Sequence, residues 1–427
     1  MALDTSKSLR NKMMYQVFVR NFSEEGTFKQ VENKLRDIKD LGTDIVWLMP
    51  IHPIGKAKRK GTLGSPYAIS DYRSVNPEFG TLDDFISLAD AIHSYGMKCI
   101  IDVVYNHTSP DSVLSKEHPE WFYHREDGSF GNRVGDWSDI IDLDYNNREL
   151  WDYQIDTLKY WAKYVDGFRC DVAPLIPIEF WMKAREEVSK VRPDCIWLSE
   201  SVEPGFILYM RGRGLTALSD SEIFRAFDIS YDYDCYKSFC ESVKDGSLDD
   251  YVKDINRQEY IYPDNYVKLR FLENHDVTRA AFLIPDKRLL RTWTAFMFFQ
   301  KGMALVYNGQ ERGLTHLPSL FDKDTIQWTS DESTDLSALI KGLSEIKHND
   351  IFTDSVYEIR SVKDEFIVAT HTNTCKKAVG VFPVKNTSSC VEVPLEDGYY
   401  TDLISGDKTE VFRGLISCKG EPIIIIK

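Results

Sequence analysis

Thiol chemistry is what this sequence has least of. Its eight cysteines, Cys99, Cys170, Cys195, Cys235, Cys240, Cys375, Cys390 and Cys418, form no CxxC pair and no metal-finger spacing. Their pattern excludes a zinc finger and a dithiol redox motif, and predicts free thiols in a reducing compartment. No apolar run reaches membrane-spanning length, and the opening stretch MALDTSKSLRNK lacks the apolar segment of a secretory leader. A cytoplasmic location without membrane contact is expected. Positive charge is also scarce: 52 Lys and Arg face 67 Asp and Glu, for a net charge of −15. That balance disfavours nucleic acid and anionic membranes as partners and leaves a neutral ligand open.

What the chain does have is length and aromatic content. Its 427 residues can hold a large domain plus a smaller one. Aromatic residues reach 13%, enough for a large core and also suited to stacking on sugar faces.

Over the first three-quarters, short apolar runs alternate with segments of helical period. The runs are YQVFVRNF (15–22), DIVWLMPI (44–51), KCIIDVVYNH (98–107), DGFRCDVA (166–173), CIWLSES (195–201), FRAFDIS (224–230), YVKLRFLENHD (266–276) and MALVYNGQE (303–311). Phe28, Val31, Leu35, Ile38 and Leu41 follow the first at helical spacing, and further helices are expected near 148–164, 178–190, 248–256, 287–301 and 335–347. Such alternation predicts βαβ units and a parallel sheet. Eight runs suit a closed barrel, with an open doubly wound sheet as the competitor.

Residues 108–146 interrupt the series as a long polar and aromatic loop, which predicts a small inserted domain. After about residue 352 the helical period gives way to EFIVATHT, KAVGVFPV, CVEVPL and PIIIIK, separated by turn residues. The domains expected are a barrel over 1–107 and 147–351, an insert over 108–146, and a C-terminal antiparallel β-sandwich over 352–427.

Polar residues end several strand candidates: Asp102, Asn106 and His107; Arg169 and Asp171; Glu200; His275 and Asp276. Any one of them could cap a helix. On successive parallel strands of a barrel they converge on one face and predict one acidic pocket. Arg169 and Asp171 are two apart and point the same way, so the guanidinium is expected to hold Asp171 ionised. Cys170 between them is expected to point outward into packing.

At these residues the chain resembles the α-amylase superfamily of glycoside hydrolases (glycoside hydrolase family 13), over nearly its whole length. The segments DVVYNH (102–107), GFRCDVA (167–173), LSES (198–201) and FLENHD (271–276) resemble four segments of that family, in its order. SPYAISDY (65–72) with VNPEFGT, IDLDYNN (141–147) and VYNGQE (306–311) resemble three more. The resemblance implies a (β/α)8 TIM barrel and retaining cleavage of glycosidic bonds. Asp171 would be the nucleophile, Glu200 the general acid/base with a raised pKa, and Asp276 the stabiliser of a distorted ring. Tyr67, His107, Arg169 and His275 would bind the sugar, Tyr67 by stacking.

The chain also departs from that pattern. Pro174 and Leu175 stand where many secreted relatives carry Lys-His, and RNFSEEGTF (20–28) replaces a calcium loop. No cofactor is therefore expected, Asn106 being the one remaining position at which Ca2+ could bind. Val172 after the nucleophile resembles relatives that prefer α-1,6 linkages. The short insert implies an open, simply built cleft, and Lys56, Lys58, Arg59 and Lys60 read as a solvated basic loop. The expected activity is hydrolysis of α-1,4-glucans such as maltodextrin or starch. An α-glucosidase or transglycosylase is the alternative within the family, and a non-catalytic carbohydrate-binding protein the alternative outside it.

Overall fold

Strands with no polar face need cover on both sides, and a barrel ringed by helices supplies it. The computed structural model describes residues 2, 4–135, 137–244, 246–328, 334–385 and 387–427. Among the described residues eight parallel strands close into a ring. In chain order they are β1 (Met13–Val17), β2 (Ile45–Leu48), β3 (Lys98–Val103), β4 (Gly167–Cys170), β5 (Ile196–Ser199), β6 (Ile229–Tyr231), β7 (Val267–Arg270) and β8 (Met303–Tyr307). Each pairs with its sequence neighbours, and β1 closes the ring on β8 with Met14 beside Leu305.

Alternate side chains go to opposite sides of this wall. Met14, Trp47, Ile100, Leu198, Leu269 and Leu305 fill the barrel interior. Tyr15, Val46, Ile101, Phe168, Trp197 and Val306 pack outward under the helices. Both faces are dry, which explains the continuous apolar runs of the sequence. Gly167 begins β4 because a Cβ there would lie 2.3 Å from the Ile196 carbonyl oxygen on β5.

The helices have local reasons for their limits. Leu82–Ser94 opens with a capping box in which the Thr81 hydroxyl accepts from the Asp84 N–H and the Asp84 carboxylate accepts from the Thr81 N–H. Such a cap is worth about 1 kcal/mol. The helix then buries Phe85, Leu88, Ala89 and Ile92 on one face.

Several elements differ from the sequence pattern. The first strand is Met13–Val17, and residues Val19–Phe22 of the expected strand form a short helix buried on every side. Periodicity carries no signal where all positions are apolar or buried. The helix expected from Phe28 to Leu41 is two short ones, Phe28–Glu32 and Leu35–Asp40. FRAFDIS contributes only its last residues to β6, since Phe227 N–H turns back to the Ile223 carbonyl. A helix over Tyr233–Val243 follows β6, where none was expected.

After β3 the chain leaves the barrel and returns through a two-residue antiparallel ladder, His107 opposite Asp142 and Thr108 opposite Ile141. The excursion carries the helix Val113–Glu117 and a short 3-10 turn at Pro119–Trp121. Beyond the helix Ser337–Lys347 lie two four-stranded antiparallel sheets. Val368, Val379 and Val381 of one face Val391, Val411 and Ile416 of the other, making a sandwich. It docks on the helix Lys287–Phe299, where Phe296 and Phe382 rings lie 5.2 Å apart. No described helix is long and apolar enough to cross a membrane.

Candidate active site

The strands stop before the polar residues that follow them. β3 ends at Val103, β5 at Ser199 and β7 at Arg270. Asp171, Glu200, His275 and Asp276 therefore sit on loops just past the C-terminal ends of parallel strands, where barrel enzymes build their sites, and His107 sits in the short ladder that opens the excursion after β3. The first residues past β4 and β5 keep the ladder going: Asp171 N–H donates to the Val103 carbonyl and Glu200 N–H to that of Cys170, both at 3.0 Å. Rigid backbone thus fixes two carboxyl groups side by side.

Arg169 organises them. Its Nη1 donates to Asp102 at 2.9 Å and to Asp171 at 2.8 Å. Its Nη2 lies 2.7 Å from Glu200 Oε1, an ion pair without the alignment of a hydrogen bond. The guanidinium is wholly buried, with the rings of Trp47 and Tyr67 at 5.3 and 5.5 Å. Cys170 between Arg169 and Asp171 packs into the outer core.

One cation beside three buried carboxyl groups cannot keep all of them at their usual pKa. Burial drives Glu200 up to about 8; Arg169 opposes the rise, and Asp171 and Asp276 add to it. Burial also lifts Asp171 to about 6, against Arg169 and with help from Asp102. Arg169 was expected to dominate at Asp171, but desolvation outweighs it. At neutral pH the arrangement still favours an ionised Asp171 beside a protonated Glu200. Asp276 lies at the open rim, its side chain 38% exposed against 8% for Asp171. Burial pushes its carboxyl up, but His275, 3.0 Å away, and Arg169 bring it below the ordinary value.

Tyr67, His107, Asp171, Glu200 and Asp276 border one cleft of about 280 Å³. Arg169 and His275 stand directly behind it. The Tyr67 hydroxyl lies 3.1 Å from Asp102 and 2.5 Å from His275 Nε2, with the two rings stacked at 5.3 Å. Burial lowers the pKa of His107 to about 4, so a neutral imidazole lies 3.9 Å from Asp171.

Three contributors were not anticipated from sequence. Gln16 Nε2 meets His275 Nδ1 at 2.7 Å; a lone polar residue inside the apolar run MMYQV was the available signal. The Val172 N–H donates to Glu200 Oε2 at 2.8 Å from a left-handed conformation, φ 36°. Lys60, read as part of a solvated loop, instead reaches Asp139 of the insert at 3.0 Å.

The position considered for calcium already faces a cation of the chain. The Asn106 backbone carbonyl accepts from Leu143 N–H at 3.0 Å, and its side-chain Nδ2 lies 3.2 Å from His107 Nδ1. The Arg133 guanidinium stands 3.6 Å from Asp142 and 3.7 Å from Asp144, and donates to the Leu143 carbonyl at 3.1 Å. Elsewhere, Asp232 and Asp234 lie close to Cys235, but Arg270 and Lys268 face them at 2.7 and 2.8 Å.

A (β/α)8 barrel with paired carboxyl groups at its C-terminal rim defines a glycoside-hydrolase class of site. The sequence family "Alpha amylase, catalytic domain" matches residues 8–129 and 115–351, and "Bacterial Alpha amylase C-terminal domain" matches residues 358–425. The chain belongs to the α-amylase family and is an enzyme of that family. An alpha-amylase from Lactobacillus plantarum is 48% identical, with 99% of this chain and 100% of that one covered at a TM-score of 0.96. A noncanonic maltogenic alpha-amylase from Thermotoga neapolitana is 33% identical, covering 98% and 99%, at a TM-score of 0.87. An alpha-1,4-glucan:maltose-1-phosphate maltosyltransferase from Myxococcus xanthus is 31% identical over 57% of this chain; the chain spans 38% of that protein's length.

Proposed function

We propose that the chain hydrolyses α-1,4-glucosidic bonds of maltodextrins with retention of configuration. The observation that carries this reading is Arg169 holding Asp171 and Glu200 with neighbouring nitrogens, at 2.8 and 2.7 Å. That arrangement favours the short carboxyl separation of retaining enzymes, about 5–5.5 Å, over the about 6.5–9.5 Å of inverting ones. Asp171, ionised, attacks the anomeric carbon while Glu200, protonated, gives its proton to the leaving oxygen. In the second half Glu200 takes a proton from water, which attacks the same carbon and releases Asp171. Asp276 and His107 meet the ring hydroxyls at the cleft, and Tyr67 lies against the sugar face. Arg169 and His275 hold these groups from behind.

Two relatives named above act, by their names, in hydrolysis and in maltosyl transfer from a sugar phosphate. Lys60 is the one Lys or Arg among the described residues bordering the cleft, and Asp139 already pairs with it. A cleft edged by Asp139, Asp171, Glu200 and Asp276 is a poor holder of phosphate, which favours hydrolysis. The α-1,6-glucosidase alternative is supported by Val172, which borders the cleft beside the nucleophile. Neither calcium nor another cofactor enters this reading, since Arg133 supplies the positive charge where the insert rejoins the barrel. Five buried thiols favour the cytoplasm as the place of action.

The test is the product profile on maltoheptaose, isomaltose and sucrose, with the anomer of the first product read by NMR. Cleavage of maltoheptaose to α-anomeric products is expected. Preference for isomaltose, transfer without net hydrolysis, or a β-anomeric first product overturns the reading.

A further inference from the structure

The loop that carries Asp276 is fixed at its base and again near its tip. At the base, Glu273 accepts from Arg279 Nη1 and from the Ala280 N–H, both at 2.6 Å. Arg279 also donates to the carbonyls of Asn308 and His316, which ties the base to the loop after β8. Near the tip, the wholly buried Asn274 turns its side chain onto the Asp276 N–H, which donates to Oδ1 at 2.8 Å. That bond decides which way the amide faces, because a backbone N–H is met only by an acceptor. Asn274 Nδ2 is therefore the atom left to reach outward, and it donates to the Tyr233 hydroxyl at 3.0 Å.

Tyr233 is held for that contact by rings on two sides. It opens the helix Tyr233–Val243, just past the end of β6 at Tyr231. Its ring stacks on the buried Tyr231 at 5.3 Å and 8°, and meets the edge of Phe271 at 5.3 Å and 74°. With both ring contacts made, the two side-chain torsions of Tyr233 are set, and the hydroxyl has little room to swing. Burial first, then the charges of Asp276 and Glu200, push the phenol pKa well up, so the hydroxyl stays a neutral acceptor. Among the described residues bordering the cleft, none comes from β6 or from the helix after it. Tyr233 is how that part of the barrel reaches the site.

We infer that Tyr233 is a positioning residue for the hydrolysis, acting through Asn274 to hold the backbone of Asp276 at the cleft. Neither Tyr233 nor Asn274 takes part in bond making. Asp276 stabilises a distorted ring only where its carboxyl stands against that ring, and a misplacement of about 1 Å can cost about 100-fold in rate. Two hydrogen bonds in series, Tyr233 to Asn274 to Asp276, set that place from β6, the strand paired with β7. The role rests on the hydrolytic reading above, with Asp276 as the ring stabiliser, and adds a residue to it.

The experiment is a double-mutant cycle on maltoheptaose, with products separated by chromatography so that slow variants are measured. Tyr233→Phe keeps the stacked ring and removes only the hydroxyl. It is expected to lower kcat about tenfold and to leave KM within about twofold, as for an interaction that matters in the transition state. In the Asp276→Asn background the same change is expected to cost less than about twofold, because its target is already lost. Asn274→Ala, made at the other end of the bridge, is expected to show the same non-additivity. Thermal melts identify any variant that does not fold. An unchanged kcat in folded Tyr233→Phe, or an equal fold loss in both backgrounds, overturns the role while leaving hydrolysis standing; a ring that merely packs gives the second result. Wild-type enzyme inert on maltoheptaose overturns the hydrolytic reading, and near-normal turnover in Asp276→Asn alone removes the stabiliser. In either case the role of Tyr233 falls with it.

Discussion

The backbone N–H of Val172 donates a 2.8 Å hydrogen bond to Glu200 Oε2, and it does so from φ 36° and ψ 41°. A β-branched residue is the least suited to that left-handed region. The neighbours hold it there: Leu175 N–H returns to the Val172 carbonyl at 2.9 Å, and Trp181 Nε1 donates to Ala173 at 3.1 Å.

Ordinarily glycine is less stable than alanine in regular structure by about 0.5–1 kcal/mol. At this position the order is expected to invert, with Val172→Gly more stable than Val172→Ala by about 1–2 kcal/mol. Denaturant melts of the two variants check it. An alanine variant as stable as the glycine variant means the backbone carries no strain.

Asp171→Asn, Glu200→Gln and Asp276→Asn are each expected to lower kcat by about 10²–10⁴-fold, with unchanged circular dichroism. Steady-state kinetics on maltoheptaose decide, and near-normal turnover in any one removes that residue from the chemistry.

The proposed mechanism needs Asp171 ionised and Glu200 protonated. The first is lost below about 6 and the second above about 8. A bell-shaped dependence of kcat/KM on pH is expected, its two limbs belonging to the carboxyl cluster as a whole. A rate still rising beyond pH 9 contradicts the assignment of Glu200 as the acid.

The same raised pKa has a stability consequence of definite sign. Glu200 folds with a carboxyl lifted from 4.5 to about 8, so its contribution is favourable at low pH and is lost as pH rises through that window. Glu200→Gln removes the loss. The variant is expected to match wild type near pH 4 and to melt about 2–4 °C higher at pH 8, measured by calorimetry across pH.

Excess chelator is expected to leave both melting temperature and activity unchanged. Arg133→Met, by contrast, is expected to cost about 1–3 kcal/mol because Asp142 is then left buried without a cation. A chelator-induced fall in melting temperature contradicts this.

The parallel βαβ pattern was legible because eight apolar runs alternate with amphipathic segments, its closure into a barrel only through the family resemblance, and the carboxyl groups because polar residues stand just past those runs. Boundaries were not. YQVFVRNF hides the change from strand to helix at Phe18, since every residue on either side is buried. Lys60 and Asp139 are far apart in sequence, and no local pattern announces such a pair. The left-handed turn at Val172 runs against local propensity, so a surrounding hydrogen-bond frame had to reveal it. Asp102 was visible as a strand-end acid, but its double engagement, with Arg169 on the neighbouring strand β4 and with Tyr67 on the loop after β2, exists only in the folded chain.

The excursion after β3 departs and returns through two facing residue pairs, His107–Asp142 and Thr108–Ile141. Between them the stretch is also tied to the loop after β2, by Ser109 N–H to the Ile69 carbonyl at 2.9 Å, Val113 N–H to that of Ser70 at 2.8 Å and Lys60 to Asp139 at 3.0 Å. Exchange of that stretch for another of different length replaces Trp137, Asp139 and Ile140 at the border of the cleft, while β3, β4 and β5 go on holding Asp102, Asp171 and Glu200. The residues that border the cleft from the insert and the strands that fix the carboxyl groups are therefore separate stretches of this chain.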